Sequence, residues 1–401
     1  MTSGIRIPNP GVPGAGITAP EGFVAAGVAC GIKSSGDLDL ALVATDDGRP
    51  VPAAAVFTSN KASAAPVLVS RAHLDSTWGR GAAVVLNSGC ANAATGTRGR
   101  SDAERMCELV AAGLKCDQTE VLVCSTGLIG YFLPMAAVES GVGPLVEAAR
   151  PDGGADAARA IMTTDTVRKQ VVVHGAGFTV GGMAKGAAML APDMATMLAV
   201  LTTDAQVDPG HLRAILREAV THSFNELIVD GATSTNDTVI LLASGRAGPA
   251  DLDAVGAAVG QACADLAGQM AADAEGSTRT ATILVKGAAS PGDARRAARK
   301  VADSQLVQCS LYGADPYWGR IISELGSAGV ELDPDRVAIA YGGIAVCVEG
   351  VATDHDAVAV AAHMAGRHVS IVAHLGLGEH EASVVFTDLG PGYIEENKGT
   401  S

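Results

Sequence analysis

The chain has 401 residues, with 28 Lys and Arg against 43 Asp and Glu, a formal charge of −15 and an aromatic content of 3%. An acidic chain with no basic run and few rings to stack on bases does not fit a nucleic-acid binder, whose affinity comes from neutralising phosphates. At 48% hydrophobic and 18% charged it has apolar material for a large core, which excludes intrinsic disorder, and its length points to more than one domain.

From the N-terminus, Met1-Thr2-Ser3-Gly4-Ile5-Arg6-Ile7-Pro8 has no basic region followed by a long apolar core, so no secretory signal is expected and a cytoplasmic location follows. Short aliphatic or β-branched runs at 40–44, 53–58, 66–70, 82–87, 120–124, 170–174, 197–202, 237–243 and 280–286 predict strands. A helix is predicted over 101–114, where Ser101 and Glu104 make a capping box and Met106, Leu109, Val110 and Leu114 share one face. A second starts at Asp208 with Pro209 in its first turn and ends near Val220. A long Ala-rich helix follows at 251–272 and a shorter one at 293–303, before strands at 336–348, 368–374 and 382–388.

Several strands precede the first good helix and the order does not alternate, so a layered α+β sandwich is expected rather than a doubly wound parallel sheet. A shift in composition at 287–292 sets the expected boundary, with a main α/β domain at 1–286 and a smaller C-terminal α/β domain at 287–401. Charge or Pro breaks the apolar stretches, as Lys185, Pro192 and Asp193 do at 183–201, so no membrane partner is expected. The eight cysteines and nine histidines are dispersed without the spacing of zinc or redox motifs, and neither a metal nor a cofactor is expected.

Phosphate-binding glycine motifs and the Gly-x-Ser-x-Gly elbow are missing. Polar blocks stand instead beside apolar strands: Asn87-Ser88-Gly89-Cys90-Ala91-Asn92, Ser125-Thr126-Gly127, Thr163-Thr164-Asp165-Thr166 and Ser234-Thr235-Asn236-Asp237-Thr238. Taken singly, each reads as turns and caps. The run 182–198 places Thr196 directly after the small Ala195 and at the head of an apolar strand. That arrangement suits self-processing, in which the Thr hydroxyl attacks its own preceding carbonyl and hydrolysis of the ester frees an α-amine. Such an amine has a pKa of roughly 8 and can serve as general base for the hydroxyl of its own residue. On composition alone, Thr196 reads instead as a core-strand threonine, and Lys185 and Glu275 as solvated surface charges.

The stretch from Lys185-Gly186 through Met194-Ala195-Thr196-Met197-Leu198 resembles the self-cleavage motif of the bifunctional ornithine acetyltransferases, or glutamate N-acetyltransferases, of arginine biosynthesis. Blocks at 87–92, 125–127, 161–165, 223–225, 230–238 and 315–320 fall in that family's order. The resemblance implies an N-terminal-nucleophile fold with Thr196 as nucleophile and a cut between Ala195 and Thr196. Chains 1–195 and 196–401 would then assemble as an α2β2 heterotetramer. It implies an oxyanion hole at Thr126 and Gly127, and substrate contacts from Thr163, Lys185, Thr196, Glu275, Asn397 and Ser401. The expected reaction moves acetyl from N2-acetyl-L-ornithine to L-glutamate, with acetyl-CoA allowed as a further donor and no cofactor. At the C-terminus, Asn397-Lys398-Gly399-Thr400-Ser401 lacks the family's Tyr and runs one residue shorter. Two other readings use the same residues: a self-processing aminopeptidase or amidase that passes the acyl group to water, and a binding protein that keeps the fold and never cleaves.

Overall fold

A computed structural model describes residues 16–188 and 197–398. Their contacts divide the chain into two units, the first holding 16–186, 197–225 and 233–270 and the second 187–188, 226–232 and 271–398.

The first unit runs β1 (Phe23–Val28), β2 (Leu40–Thr45), β3 (Val51–Phe57), α1 (Ala65–Ser76), β4 (Arg80–Gly81), β5 (Ala83–Cys90), α2 (Gly96–Leu114), β6 (Val121–Leu128), α3 (Met135–Glu147), α4 (Gly154–Ala160), β7 (Lys169–His174), β8 (Thr179–Lys185), β9 (Leu198–Gln206) and α5 (Pro209–Thr221). A two-residue strand of the second unit, β10 (Leu227–Ile228), precedes β11 (Thr238–Pro249) and α6 (Leu252–Ala272). One sheet has the order β1-β2-β5-β6 and the other β4-β3-β11-β9-β8-β7. The pairs β5–β6 and β9–β11 are parallel and the rest antiparallel.

Period-two alternation explains the layering. Val84, Leu86, Leu122 and Cys124 of the first sheet share one core with Met183, Leu198, Val200, Ile240 and Leu242 of the second, so these faces pack on each other. The intervening Ala83, Val85, Val121 and Val123 point the other way, into a core with Met106, Cys107 and Val110 of α2 and Val138, Val142 and Leu145 of α3. Helix α5 packs on β3, and Leu266 of α6 reaches Gly182 on the far face of the second sheet. The result is helix, sheet, sheet, helix, the layered α+β sandwich expected from element order.

Helix α5 starts as expected, with Asp208 Oδ1 accepting from the backbone N–H groups of Gly210 and His211. Two expectations are corrected, and one strand was not expected. Residues 66–70 belong to helix α1, with Pro66 in its first turn, not to a strand. The helix is held there by an edge strand: Ser70 Oγ donates to Val123 O and accepts from Val123 N at 2.7 and 2.8 Å, while His73 Nδ1 lies 2.8 Å from Val121 O. Those bonds cover backbone groups that β6 would otherwise leave open. Helix α2 begins at Gly96, five residues before Ser101, whose hydroxyl donates back to Thr97 O, so the capping box does not form. Asn92 Nδ2 donates to Gly99 O at 2.8 Å and anchors this early turn despite its glycines. Strand β8 carries no strand signal in the sequence because of Gly181-Gly182; a Cβ on Gly181 would stand 2.3 Å from Gly16 O, so the close approach excludes the β-branched residues that mark strands.

The second unit adds β12 (Thr280–Ala288), α7 (Pro291–Ala302), α8 (Gln305–Tyr312), α9 (Gly319–Gly326), β13 (Ala338–Tyr341), β14 (Ile344–Val348), β15 (Val351–Ala352), α10 (Ala357–Met364), β16 (His368–His374), β17 (His380–Thr387) and α11 (Pro391–Asn397). Its sheet has the order β10-β17-β12-β16-β13-β14-β15. Ala281, Ile283 and Val285 of β12 join Val369, Ile371, Val384 and Phe386 under Ala294, Ala297, Ala298 and Val301 of α7. Strand β12 pairs with β16 and β17 inside this sheet, so the contacts put the division before it, near residue 271, and residue 287 falls at its end. The composition shift marks the loop into α7; which sheet the preceding strand joins leaves no mark in its own residues. Among the described residues no helix is long and apolar enough to cross a membrane.

Candidate active site

Near its end strand β6 carries Ser125-Thr126-Gly127, in parallel register with Asn87-Ser88-Gly89 of β5. The register shifts at Cys90, which faces both Thr126 and Leu128. Gly127 has φ +130, and a Cβ on it would stand 2.3 Å from the carbonyl carbon of Gly89 and 2.5 Å from Cys90 N. Only glycine fits this bulge, which takes the Gly127 peptide out of regular ladder geometry.

Thr126 is buried beside it, on the face shared by Leu122 and Cys124 that looks toward the second sheet. From that sheet Lys185, the last residue of β8, donates through Nζ to Thr126 Oγ1 at 3.4 Å. A hydroxyl oxygen that accepts from an ammonium leaves its own hydrogen for another acceptor. Lys185 is opposite Leu198 in the β8–β9 register, two residues beyond Thr196. It is 3% exposed, and Glu275 is 7% exposed, so neither is the solvated surface charge that composition suggests.

Asp165 organises the charges behind Lys185. Its Oδ1 accepts from Lys169 Nζ at 2.6 Å and Gly186 N at 2.9 Å, and its Oδ2 accepts from Thr163 N at 3.1 Å and lies 4.0 Å from Lys185 Nζ. Burial pushes the Asp165 carboxyl up, but Lys185, Lys169 and these hydrogen bonds outweigh it and hold the group well below the usual carboxylate range. Lys33, half-buried, donates to Leu38 O and Met162 O at 2.9 and 2.7 Å; burial lowers its pKa, and the nearby Lys185 charge lowers it further. Two buried ammonium groups thus share one carboxylate, with a third cation close by, an arrangement suited to an anionic substrate group.

In the second unit Asn397 Nδ2 donates to Glu275 Oε2 at 2.7 Å and to Tyr393 O at 2.9 Å. The Tyr393 hydroxyl donates to Asp230 Oδ2 at 3.0 Å. Helix α11 therefore brings Asn397 onto Glu275, a pairing across 122 residues of chain that no motif spacing reveals.

The structure brings together Thr126, Gly127, Thr163 and Lys185 in the first unit and Glu275 with Asn397 in the second. Ala195, Thr196 and Ser401 lie outside the described residues. Sequence reasoning passed over Asp165 and Lys169. Asp165 stood in a polar block noted for its composition, but Lys169 carries no signal, because a lone Lys at the head of a strand looks solvent-facing.

The ArgJ family model matches residues 24–399. The arginine biosynthesis bifunctional protein ArgJ of Mycolicibacterium paratuberculosis is 51% identical over 398 residues, with 96% of each chain covered. The protein of that name from Thermobifida fusca is 46% identical over 386 residues, covering 96% of this chain and 99% of that one. Among solved structures, ornithine acetyltransferase from Mycobacterium tuberculosis, complexed with ornithine, is 52% identical and matches with a TM-score of 0.42, covering 44% of this chain and 94% of that one. With a family model spanning nearly the whole chain and relatives of about half identity along it, the chain belongs to the ArgJ family.

Proposed function

We propose that this enzyme cuts itself between Ala195 and Thr196, giving chains 1–195 and 196–401 that assemble as an α2β2 heterotetramer, and then moves acetyl from N2-acetyl-L-ornithine to L-glutamate. Thr196 Oγ attacks the acetyl carbonyl while the freed α-amine of Thr196 takes the hydroxyl proton. The negative charge on the carbonyl oxygen is met by the Thr126 hydroxyl and the Gly127 N–H. Collapse returns the proton to the leaving amine, so ornithine departs and an acetyl-Thr196 ester remains. The α-amine of glutamate attacks that ester, its proton passes back through the Thr196 amine, and N-acetylglutamate leaves with the hydroxyl restored. Acetyl-CoA would enter at the first half-reaction, as a thioester donor to the same hydroxyl.

The contact that supports this reading most is that of Lys185 with Thr126, 59 positions apart. It joins the end of the strand that carries the candidate oxyanion residues to the end of the strand facing Leu198. Lys185, backed by Asp165 and beside Thr163, suits the substrate carboxylate; Glu275, carrying Asn397, suits an ammonium; Ser401 completes the proposed contacts. Intact mass under denaturing conditions tests the first step. Two fragments, the second beginning Thr196-Met197-Leu198, are expected, and a single uncut species in active protein would overturn the scheme.

A further inference from the structure

The polar block Ser234-Thr235-Asn236-Asp237-Thr238 has no part in the reaction as written, yet all of it but the half-buried Thr235 is buried, and it is heavily bonded within the first unit. Asn236 Nδ2 donates to Ala91 O at 2.7 Å and to Ser125 O at 2.8 Å, so one amide ties together the ends of β5 and β6. The carbonyl of Ser125 belongs to the peptide that carries the N–H of Thr126. The next residue, Asp237, accepts from Met197 N through Oδ1 at 2.9 Å, and Thr238 N donates to Met197 O at 3.2 Å. Both backbone polar groups of Met197 are therefore held by residues 237 and 238. The block is itself anchored to the end of β3, where Thr58 Oγ1 donates to Ser234 O at 2.7 Å and Thr58 N donates to Asp237 O at 2.9 Å.

We infer that Asn236 and Asp237 are a positioning pair for acyl transfer, fixing Met197, the residue that follows Thr196 in the sequence, relative to Thr126 and Gly127. The inference rests on the proposed role of Thr196. Neighbouring residues of one strand entry hold the two halves of the machinery, Asn236 through Ser125 and Asp237 through Met197, so a shift of either half moves it against the other. Displacements of about 1 Å at such distances cost roughly 100-fold in rate.

Asp237 makes its contact from inside the core. It is fully buried, and its Oδ2 has no hydrogen-bond partner among the described residues. Burial drives its carboxyl well above the usual range, with the Met197 amide, Ser234 and the charge of Lys185 from β8 opposing the shift. Asparagine keeps a carbonyl oxygen for the Met197 N–H at nearly the same size and brings no charge into the core.

Four proteins measured together test the pair: wild type, Asp237→Asn, Asp237→Ala and Asn236→Ser, each assayed for the extent of the 195/196 cut, kcat, KM and melting temperature. Asp237→Asn is expected to cut itself and turn over within about threefold of wild type. Asp237→Ala is expected to lose about 100-fold in kcat, and Asn236→Ser about tenfold, with KM within about threefold in both. If Asp237→Ala does not fold, Asn236→Ser against Asp237→Asn carries the comparison. Wild-type kcat in Asn236→Ser and Asp237→Ala, or losses appearing in KM alone, would overturn the inference while leaving the Thr196 scheme intact. Asp237→Asn as slow as Asp237→Ala would also overturn it, because a neutral isostere that keeps the Met197 contact would then fail. Uncut, active wild-type protein would instead overturn the scheme on which the inference rests.

Discussion

The Lys185 ammonium donates to the Thr126 hydroxyl oxygen across 3.4 Å, which orients that hydroxyl as a donor toward whatever oxygen approaches it. Thr126→Ala removes one of two candidate donors to the tetrahedral intermediate and is expected to lower kcat roughly 100-fold, about 3 kcal/mol of barrier, with little change in KM. Thr126→Ser keeps the hydroxyl and is expected to stay within about tenfold of wild type. Initial rates of acetyl transfer with varied acetylornithine check both; unchanged kcat in Thr126→Ala would remove Thr126 from the hole.

Gly127→Ala is expected to be worse than its size suggests. The added methyl would press on the Gly89–Cys90 peptide, and φ +130 is a conformation that residues with a Cβ rarely adopt. The expected result is a kcat loss of at least about 100-fold together with a lower melting temperature, read by kinetics and by thermal unfolding on the same preparation.

The carboxyl of Asp165 makes stability depend on pH in a definite direction. Its folded pKa lies below its unfolded value of about 3.9, so its contribution is fully present above that value and fades as the pH falls through it toward the folded pKa. Asp165→Asn leaves the buried Lys169 and nearly buried Lys185 without their shared counter-charge and is expected to cost about 3 kcal/mol near pH 7. The difference from wild type should shrink as the pH falls below about 4. Denaturant unfolding at several pH values measures this, and a pH-independent difference would contradict the assignment.

In the proposed scheme Lys185→Met removes the buried charge assigned to a substrate carboxylate, and Glu275→Gln the one assigned to an ammonium. Hydrogen bonds to charged groups contribute about 1.5–3 kcal/mol. Each variant is therefore expected to raise KM about tenfold or more, for glutamate and for acetylornithine measured separately. A variant with unchanged KM for both would not be a substrate-binding position.

Elements whose local chemistry agrees with their surroundings were legible in the sequence. Asp208-Pro209 caps a helix by itself, and the alternation in Val84, Val85 and Leu86 marks a strand between two apolar layers. Elements decided by distant partners were not. Residues 66–70 form a helix because Ser70 and His73 are needed at the edge of β6, and β8 forms through Gly181-Gly182 because another backbone lies against it. The site divides in the same way. Thr126, Thr163, Lys185, Glu275 and Asn397 were named from a family resemblance in motif order, whereas Asp165 and Lys169 act through a salt bridge inside the fold, which no residue pattern announces. The block 234–238 was visible as composition, but its bonds to Ser125 and Met197 exist only when the ends of the strands meet.

The covalent step is the centre of the account, and trapping it is the most direct measurement. Purified enzyme is mixed with N2-acetylornithine in the absence of glutamate, quenched in acid and weighed by intact mass spectrometry, then chased with glutamate. The account predicts that the fragment beginning at Thr196 becomes heavier by one acetyl group, loses it on addition of glutamate, and gains none when Thr196→Ala protein is treated alike. An unmodified fragment while N-acetylglutamate still forms, or acetate released at the same rate with and without glutamate, would contradict it.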